Sequence, residues 1–246
     1  MKKQYKVGLC LLYFISMLSI SFYVGNKASY VVKDEVVKKV MYLTFDDGPS
    51  KNTQAILDIL DKYQVKATFF VTAESKEHLD LISVEKQKGH AVGVHTYSHD
   101  YASIYCNVDA FFEDFQKMNE IIKEQTGEYS SIMRFPGGSS NTISKKYSKG
   151  IMTTLAQQVQ EQGYQYYDWN ASNGDGNSHT SVDGLVKQGV EEVKNQDISM
   201  VLMHDGAGSN ETVSALPTLL EYYIKEGYEF KIIDESTPLF HHHIHN

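Results

Sequence analysis

Cysteine is nearly absent from this 246-residue sequence, which holds two, Cys10 and Cys106. A disulfide scaffold is therefore excluded, and so is a zinc site built on paired cysteines. Any metal site has to come from His, Asp and Glu. Basic residues are also scarce: 23 Lys and Arg face 31 Asp and Glu, a formal net charge of -8. No basic stripe is available to neutralise phosphates, so no nucleic-acid partner is expected. Tryptophan occurs once, at position 169. Apolar residues make up 41% of the chain, enough at this length for one large domain or two small ones.

Lys2, Lys3 and Lys6 precede an uncharged run from Val7 to Val24. The run lies at the short end of what spans a bilayer, about 17–25 residues, and is longer than most signal-peptide cores. The basic flank places the N-terminus in the cytoplasm. The following "NKAS" is a poor cleavage site. The favoured reading is an uncleaved, single-pass signal-anchor over 1–26, with the remainder outside the cell. A cleaved signal peptide and a secreted product, or a buried helix, are the alternatives. Residues 27–39 read as a polar tether that reaches at most about 50 Å when extended. A folded domain is expected over 40–240, and "HHHIHN" at 241–246 reads as an exposed His-rich tail.

From Val40 onward, short β-rich runs alternate with helical patterns. The strand candidates are Val40–Phe45, Ala67–Thr72, Ala91–His95, Ser131–Phe135, Gln165–Trp169, Ser199–Met203 and Tyr228–Ile233. Between them, Ala55, Ile56, Ile59, Leu60 and Tyr63 trace one helical face, with Ser50 and Asn52 as capping candidates. Phe111, Phe115, Met118 and Ile122 trace another, ended by Gly127; later faces end at Gly163 and Gly227. Such alternation implies a mostly parallel sheet, either closed as a barrel or open and doubly wound.

The unusual polar residues fall at one place in this rhythm. Asp46 and Asp47 follow the first strand, His95 closes the third, and Arg134 lies near the end of the fourth. Asp168 and Asp175 sit at and after the fifth, and His204 and Asp205 follow the sixth. Parallel α/β folds build their active sites at these C-terminal strand ends. In "HTYSH", His95 and His99 are spaced i, i+4, so one helical turn would aim both rings at one ion. Asp47 would complete a two-His, one-carboxylate ligand set with positions left open for water and substrate. Zinc suits that set, and cobalt, nickel or iron would also be accepted. Taken singly, HxxxH, "DDGPS" and "RFPGG" are each compatible with ordinary surface loops.

Taken in order, "TFDDGPS", "HTYSH", "RFPGG", the Asp175 region and "LMHD" resemble the five motifs of the polysaccharide deacetylase family, the NodB-homology domain of carbohydrate esterase family 4. The resemblance implies a distorted (β/α)7 barrel and a metal-dependent hydrolase. Such an enzyme removes acetyl groups from sugars, most often N-acetylglucosamine in peptidoglycan or chitin. It further implies Asp47, His95 and His99 as ligands of a divalent ion, Zn2+ first, with Co2+ or Ni2+ as alternatives. Asp46 would be the general base with Arg134 as its ion-pair partner. His204 would be the general acid, oriented by Asp175 with Asp168 as the rival, and the Gly137 amide would help to hold an oxyanion. The third motif usually carries an aromatic where Gly137 stands, and the fourth usually reads Asp-Trp where Asp175 precedes Gly176. Trp169 is the candidate to fill the acetyl-pocket wall. A monomer acting on a cell-surface glycan is expected. A deacetylase of chitooligosaccharide or O-acetylated xylan, and a non-catalytic glycan-binding relative, are the other readings.

Overall fold

The computed structural model describes residues 38–177, 180–234 and 236–245. The expected signal-anchor and all but the end of the tether lie outside them. Among the described residues no helix is long and apolar enough to cross a membrane.

Period-two patterning dictates what the strands bury. In β1 (Val40–Asp46), Met41, Leu43 and Phe45 enter the main apolar cluster beneath the helices, whereas Tyr42 belongs to a second cluster with Phe70, Ile132, Tyr167, Met200 and Ile233. Alternation therefore carries Thr44 and Asp46 onto the face of Tyr42. In β7 (Ile198–His204), Met200 joins the second cluster and Val201 and Met203 the first, so His204 shares the Met200 face. Fully burying each such Phe, Leu or Met contributes about 1.5–3 kcal/mol. Asp46 and His204 thus end two apolar columns inside the barrel. They are register partners across the parallel β1–β7 ladder.

The other strands are β2 (Thr68–Val71), β3 (Ala91–Val94), β4 (Ile132–Met133), β5 (Gln165–Tyr166), β6 (Ala171–Ser172) and β8 (Glu229–Phe230). They form one 8-stranded parallel sheet in the order β5-β4-β3-β2-β1-β7-β6, with β8 paired to the start of β1. This half-barrel fits the expected (β/α)7 fold, left unpaired between β5 and β6.

The helices are α1 (Thr53–Tyr63), α2 (Leu81–Gln87), α3 (Tyr101–Ile104), α4 (Val108–Thr126), α5 (Ile151–Glu161), α6 (Val182–Val193) and α7 (Asn210–Lys225). Asn107 caps α4 by accepting from the Ala110 N–H at 2.9 Å, and Gly127 ends it in the left-handed region. At α1 the expectation of a capping side chain needs correction. Asn52 occupies the cap position but donates to the Gly206 carbonyl at 2.8 Å, tying the helix start to the loop after β7.

Two further corrections concern the seam. The run Gln165–Trp169, expected as one strand, stops at Tyr166, and β6 follows after a break. Asp168 is the cause: its N–H donates to Phe240 O, and its carboxylate accepts from Ser139 and His242, so no ladder continues there. The C-terminal histidines, expected as an exposed tail, are exposed at His241, His243 and His245, yet His241 and His242 dock beside this gap. His241 stacks on Tyr166 at 3.7 Å and its Nε2 donates to the Tyr166 carbonyl at 2.9 Å. His242 Nε2 donates to the Trp169 carbonyl at 2.6 Å.

Candidate active site

Where β1 ends, a backbone kink at Asp47 overrides the strand alternation that would send Asp46 and Asp47 to opposite faces. Asp47 has φ 72, in the left-handed region that costs a non-glycine residue on the order of 1–3 kcal/mol. The kink brings its carboxylate round beside that of Asp46. His95 Nε2 lies 3.4 Å from Asp47 Oδ1 and 3.8 Å from Asp46 Oδ2. The two acids therefore converge on one imidazole instead of facing opposite ways. Gly48 permits the turn, because a Cβ there would collide with the Asp205 carboxylate. Asp205 holds the turn from below, accepting from Thr53 Oγ1 at 2.5 Å through its carboxylate and from Ser50 Oγ at 2.5 Å through its carbonyl.

His95 and His99 do share one ion-sized space, but not through a helix. Residues 95–100 form an irregular loop, with Thr96 at φ 74 and His99 at φ 52. Asp114, on α4, pins it by accepting from the Tyr97 and Ser98 N–H groups at 2.6 and 3.1 Å. His99 Nε2 ends 3.4 Å from Asp47 Oδ1, with its ring 5.2 Å from that of His95. His95 Nδ1 donates to the Arg134 carbonyl at 2.9 Å, which leaves Nε2 with its lone pair toward Asp47. Burial keeps this ring neutral, lowering its pKa to about 3.

Donor atoms of Asp47, His95 and His99 all lie within 4.8 Å of one another. Asp47 Oδ1 is buried and has no hydrogen-bond partner. An orphaned carboxylate oxygen flanked by two imidazole nitrogens is chemically suited to a divalent cation.

Arg134, the only arginine of the chain, is completely buried. Its Nη1 donates to Asp46 Oδ1 at 2.8 Å and to Thr44 Oγ1 at 2.6 Å. Nε and Nη2 donate to the carbonyls of Tyr167 and Asp168 at 2.8 and 3.1 Å. Burial pushes the Asp46 carboxyl upward, and the adjacent guanidinium opposes that shift.

Across the site, His204 Nδ1 and Asp175 Oδ1 are 2.7 Å apart. Asp175 Oδ2 accepts from the His204 N–H at 2.8 Å and from Thr212 Oγ1 at 2.7 Å. Burial works against an imidazolium, but the Asp175 carboxylate outweighs it, and the pKa of His204 rises to about 9. Asp168, the rival in the sequence, points elsewhere and binds Ser139 and the tail. A cavity of about 470 Å³ opens beside the pair, lined by Asp175, Gly176, Asn177, Thr180, Glu211 and Thr212.

Gly137 and Gly138 have φ 76 and 77. Gly137 is exposed, and its N–H makes no hydrogen bond among the described residues. A Cβ at Gly137 would lie 2.5 Å from Tyr101 Oη, and one at Gly138 would lie 2.9 Å from the Trp169 ring. The glycine pair thus gives up its own side chains to two aromatics from elsewhere. Trp169 is half-buried there, with the Arg134 guanidinium 5.6 Å from its ring centre. Tyr101 and Asp114 were not singled out by sequence reasoning. Neither has a local signal, since each acts on a loop distant in the chain.

A family model for polysaccharide deacetylase matches residues 33–165. A Bacillus cereus peptidoglycan-N-acetylglucosamine deacetylase is 32% identical over 81% of this chain and 71% of its own length. A bifunctional xylanase/deacetylase of Pseudobutyrivibrio xylanivorans is 31% identical over 80% of this chain and only 30% of its own. Among solved structures, the catalytic domain of a peptidoglycan N-acetylglucosamine deacetylase from Eubacterium rectale superposes with a TM-score of 0.83 at 46% identity. It covers 85% of this chain and 94% of that one. With a family match over more than half its residues and such identities over most of its length, the chain belongs to the polysaccharide deacetylase family, hydrolases that act on amide bonds.

Proposed function

We propose that this enzyme removes the acetyl group from N-acetylglucosamine in peptidoglycan, using a divalent cation held by Asp47, His95 and His99. The observation that carries the reading is the buried, unpartnered Asp47 Oδ1, 3.4 Å from each of two imidazole nitrogens. The names of the Bacillus cereus and Eubacterium rectale relatives support the choice of glycan. The xylanase-linked relative favours O-acetylated xylan as the second reading. Zinc fits the donor set, with cobalt and nickel next.

Such an ion, when bound, supplies Lewis acidity that makes water more acidic and polarises a carbonyl. Asp46 accepts the proton of the attacking water. Arg134 favours its ionised form against the effect of burial and steadies its carboxylate through the Nη1–Oδ1 bond. The Gly137 N–H donates to the oxygen that gains charge. His204, kept protonated by Asp175, delivers a proton to the departing amine, which leaves poorly without one. Because Asp46 and His204 are register partners on adjacent strands, base and acid flank one bound group. Acetate and a glucosamine unit are the products.

We place the catalytic domain outside the cell on a signal-anchor over residues 1–26, where the basic flank and apolar run support it. Acetate release by the purified full chain on peptidoglycan, chitin oligomers and acetylated xylan is the test, with chelator and with added metals. Its retention in alkaline-washed membranes belongs to the same experiment. Asp46→Asn is expected to keep the ion and lose turnover, and His95→Ala to lose both. Near-normal rates for Asp46→Asn would reject the base assignment.

A further inference from the structure

Tyr101 stands at the active-site rim without any role in the reading above. It opens α3, and its ring packs edge-on between His99 and Tyr105, with centroids 5.7 and 5.4 Å away. Tyr105 is itself fully buried and donates its hydroxyl to the Pro136 carbonyl at 2.8 Å. That bond anchors the loop that leads into Gly137. Two side chains, His99 and Tyr105, thereby hold the Tyr101 ring against the loop, and its Oη lies where a Gly137 side chain would begin. The hydroxyl makes no hydrogen bond among the described residues.

Two hydrogen-bond donors therefore lie side by side without protein partners: the Gly137 N–H and the Tyr101 O–H. The Tyr101 ring packs on His99 of the Asp47, His95 and His99 cluster, beside which an acyl carbon has to sit for attack, and Gly137 adjoins Tyr101 Oη. Neither is a buried orphan, so each is open to a ligand that replaces water, and donors held in place this way suit an oxygen that gains charge. Gly137 is also the only residue type that fits, because a Cβ would drive the phenol away.

We infer that Tyr101 is a substrate-contacting residue whose hydroxyl donates to the acyl oxygen of the acetamido group beside the Gly137 N–H. The assignment rests on the deacetylase reading. The phenol comes from the second-motif loop, into space that a third-motif side chain would otherwise occupy. No proton is transferred and no bond is made by Tyr101. It stabilises the charge that develops on oxygen.

The test is Tyr101→Phe in the full chain. The lost hydroxyl leaves no protein group unpaired, so melting temperature and bound metal are expected to match the wild type. The kcat for acetate release is expected to fall about 100-fold, the usual scale for one oxyanion donor, with KM within twofold. Affinity for a tetrahedral methylphosphonamidate analogue of the acetamido group is expected to fall by a similar factor. A structural role alone would not produce that parallel. An active wild type matched within twofold by Tyr101→Phe would overturn the Tyr101 assignment and leave the deacetylase reading standing. A wild type inert on every glycan would overturn both.

Discussion

At the residue scale, the site uses the chain's only arginine and only tryptophan, placed against each other. Every other basic side chain of the Lys/Arg class is lysine, and Arg134 shows why one is not. Four hydrogen bonds radiate from its planar fork to Asp46, Thr44 and two backbone carbonyls, all in the interior. An ammonium is a point charge with a different donor geometry. Arg134→Lys is expected to leave buried acceptors unpaired and to destabilise the fold by about 3–5 kcal/mol, as for a broken buried pair, measured by denaturant unfolding. Arg134→Gln, which removes the cation altogether, has a pH signature in the residual activity. Burial raises Asp46 and the guanidinium opposes it, so removing Arg134 raises Asp46 further. Because Asp46 acts only when ionised, the acid limb of the rate profile is expected to move to higher pH. The alkaline limb belongs to His204, near 9, and is expected to stay in place. An unmoved acid limb would separate Arg134 from the base.

At the element scale, the long strands were legible and the seam was not. β1 and β7 have seven residues each, buried on both faces nearly throughout, and their sequence limits differ from the observed ones by a single residue or two. The polar residues that follow them could be placed at strand ends for that reason. β5 and β6, with two residues each, are too short for any period to register. The helical reading of HTYSH failed for a related cause. Spacing i, i+4 is shared by a helical turn and by a loop kinked at two left-handed residues, and contacts distant in the chain, from Asp114 and Ala73, hold the loop form. The tail is exposed as expected, but its docking was not legible because its partners, Tyr166, Asp168 and Trp169, lie about seventy residues upstream. These contacts make the C-terminal segment the closure of the half-barrel. Deleting residues 241–246 is expected to lower the melting temperature. It should also shift the emission of the single tryptophan to the red, because His242 covers Trp169 edge-on at 4.7 Å. An unchanged spectrum would mean that the tail does not dock there in solution.

At the scale of the whole molecule, buried ionisable groups set how stability follows pH. Asp205 is raised from 3.8 to about 7 by burial, and Glu85, on α2, is pushed well above the ordinary carboxylate range, first by burial and then by the charge of Asp205. Neither carboxyl oxygen of Glu85 has a hydrogen-bond partner. Both acids are protonated in the fold at a pH where the unfolded chain has released those protons. Stability therefore falls as pH rises from about 4 through their folded values. His204, raised to about 9, adds stability that is full below 6.5 and is lost as pH climbs through 9. His90 and His95 act in the opposite sense. Burial lowers them to about 4 and about 3, so they favour unfolding as pH drops below 6.5. Above 6.5 every one of these slopes has the same sign, whereas below it the histidines and the acids oppose one another. The chelator-treated protein is thus expected to melt highest in mildly acidic buffer and progressively lower toward pH 9. Glu85→Gln isolates one contributor, because it preserves the shape and neutrality of a protonated Glu85. It is expected to match the wild type near pH 5 and to melt higher at pH 9, with a shallower decline between. A decline as steep as that of the wild type would show that Glu85 carries no buried proton, and would shift the alkaline loss onto Asp205 and His204.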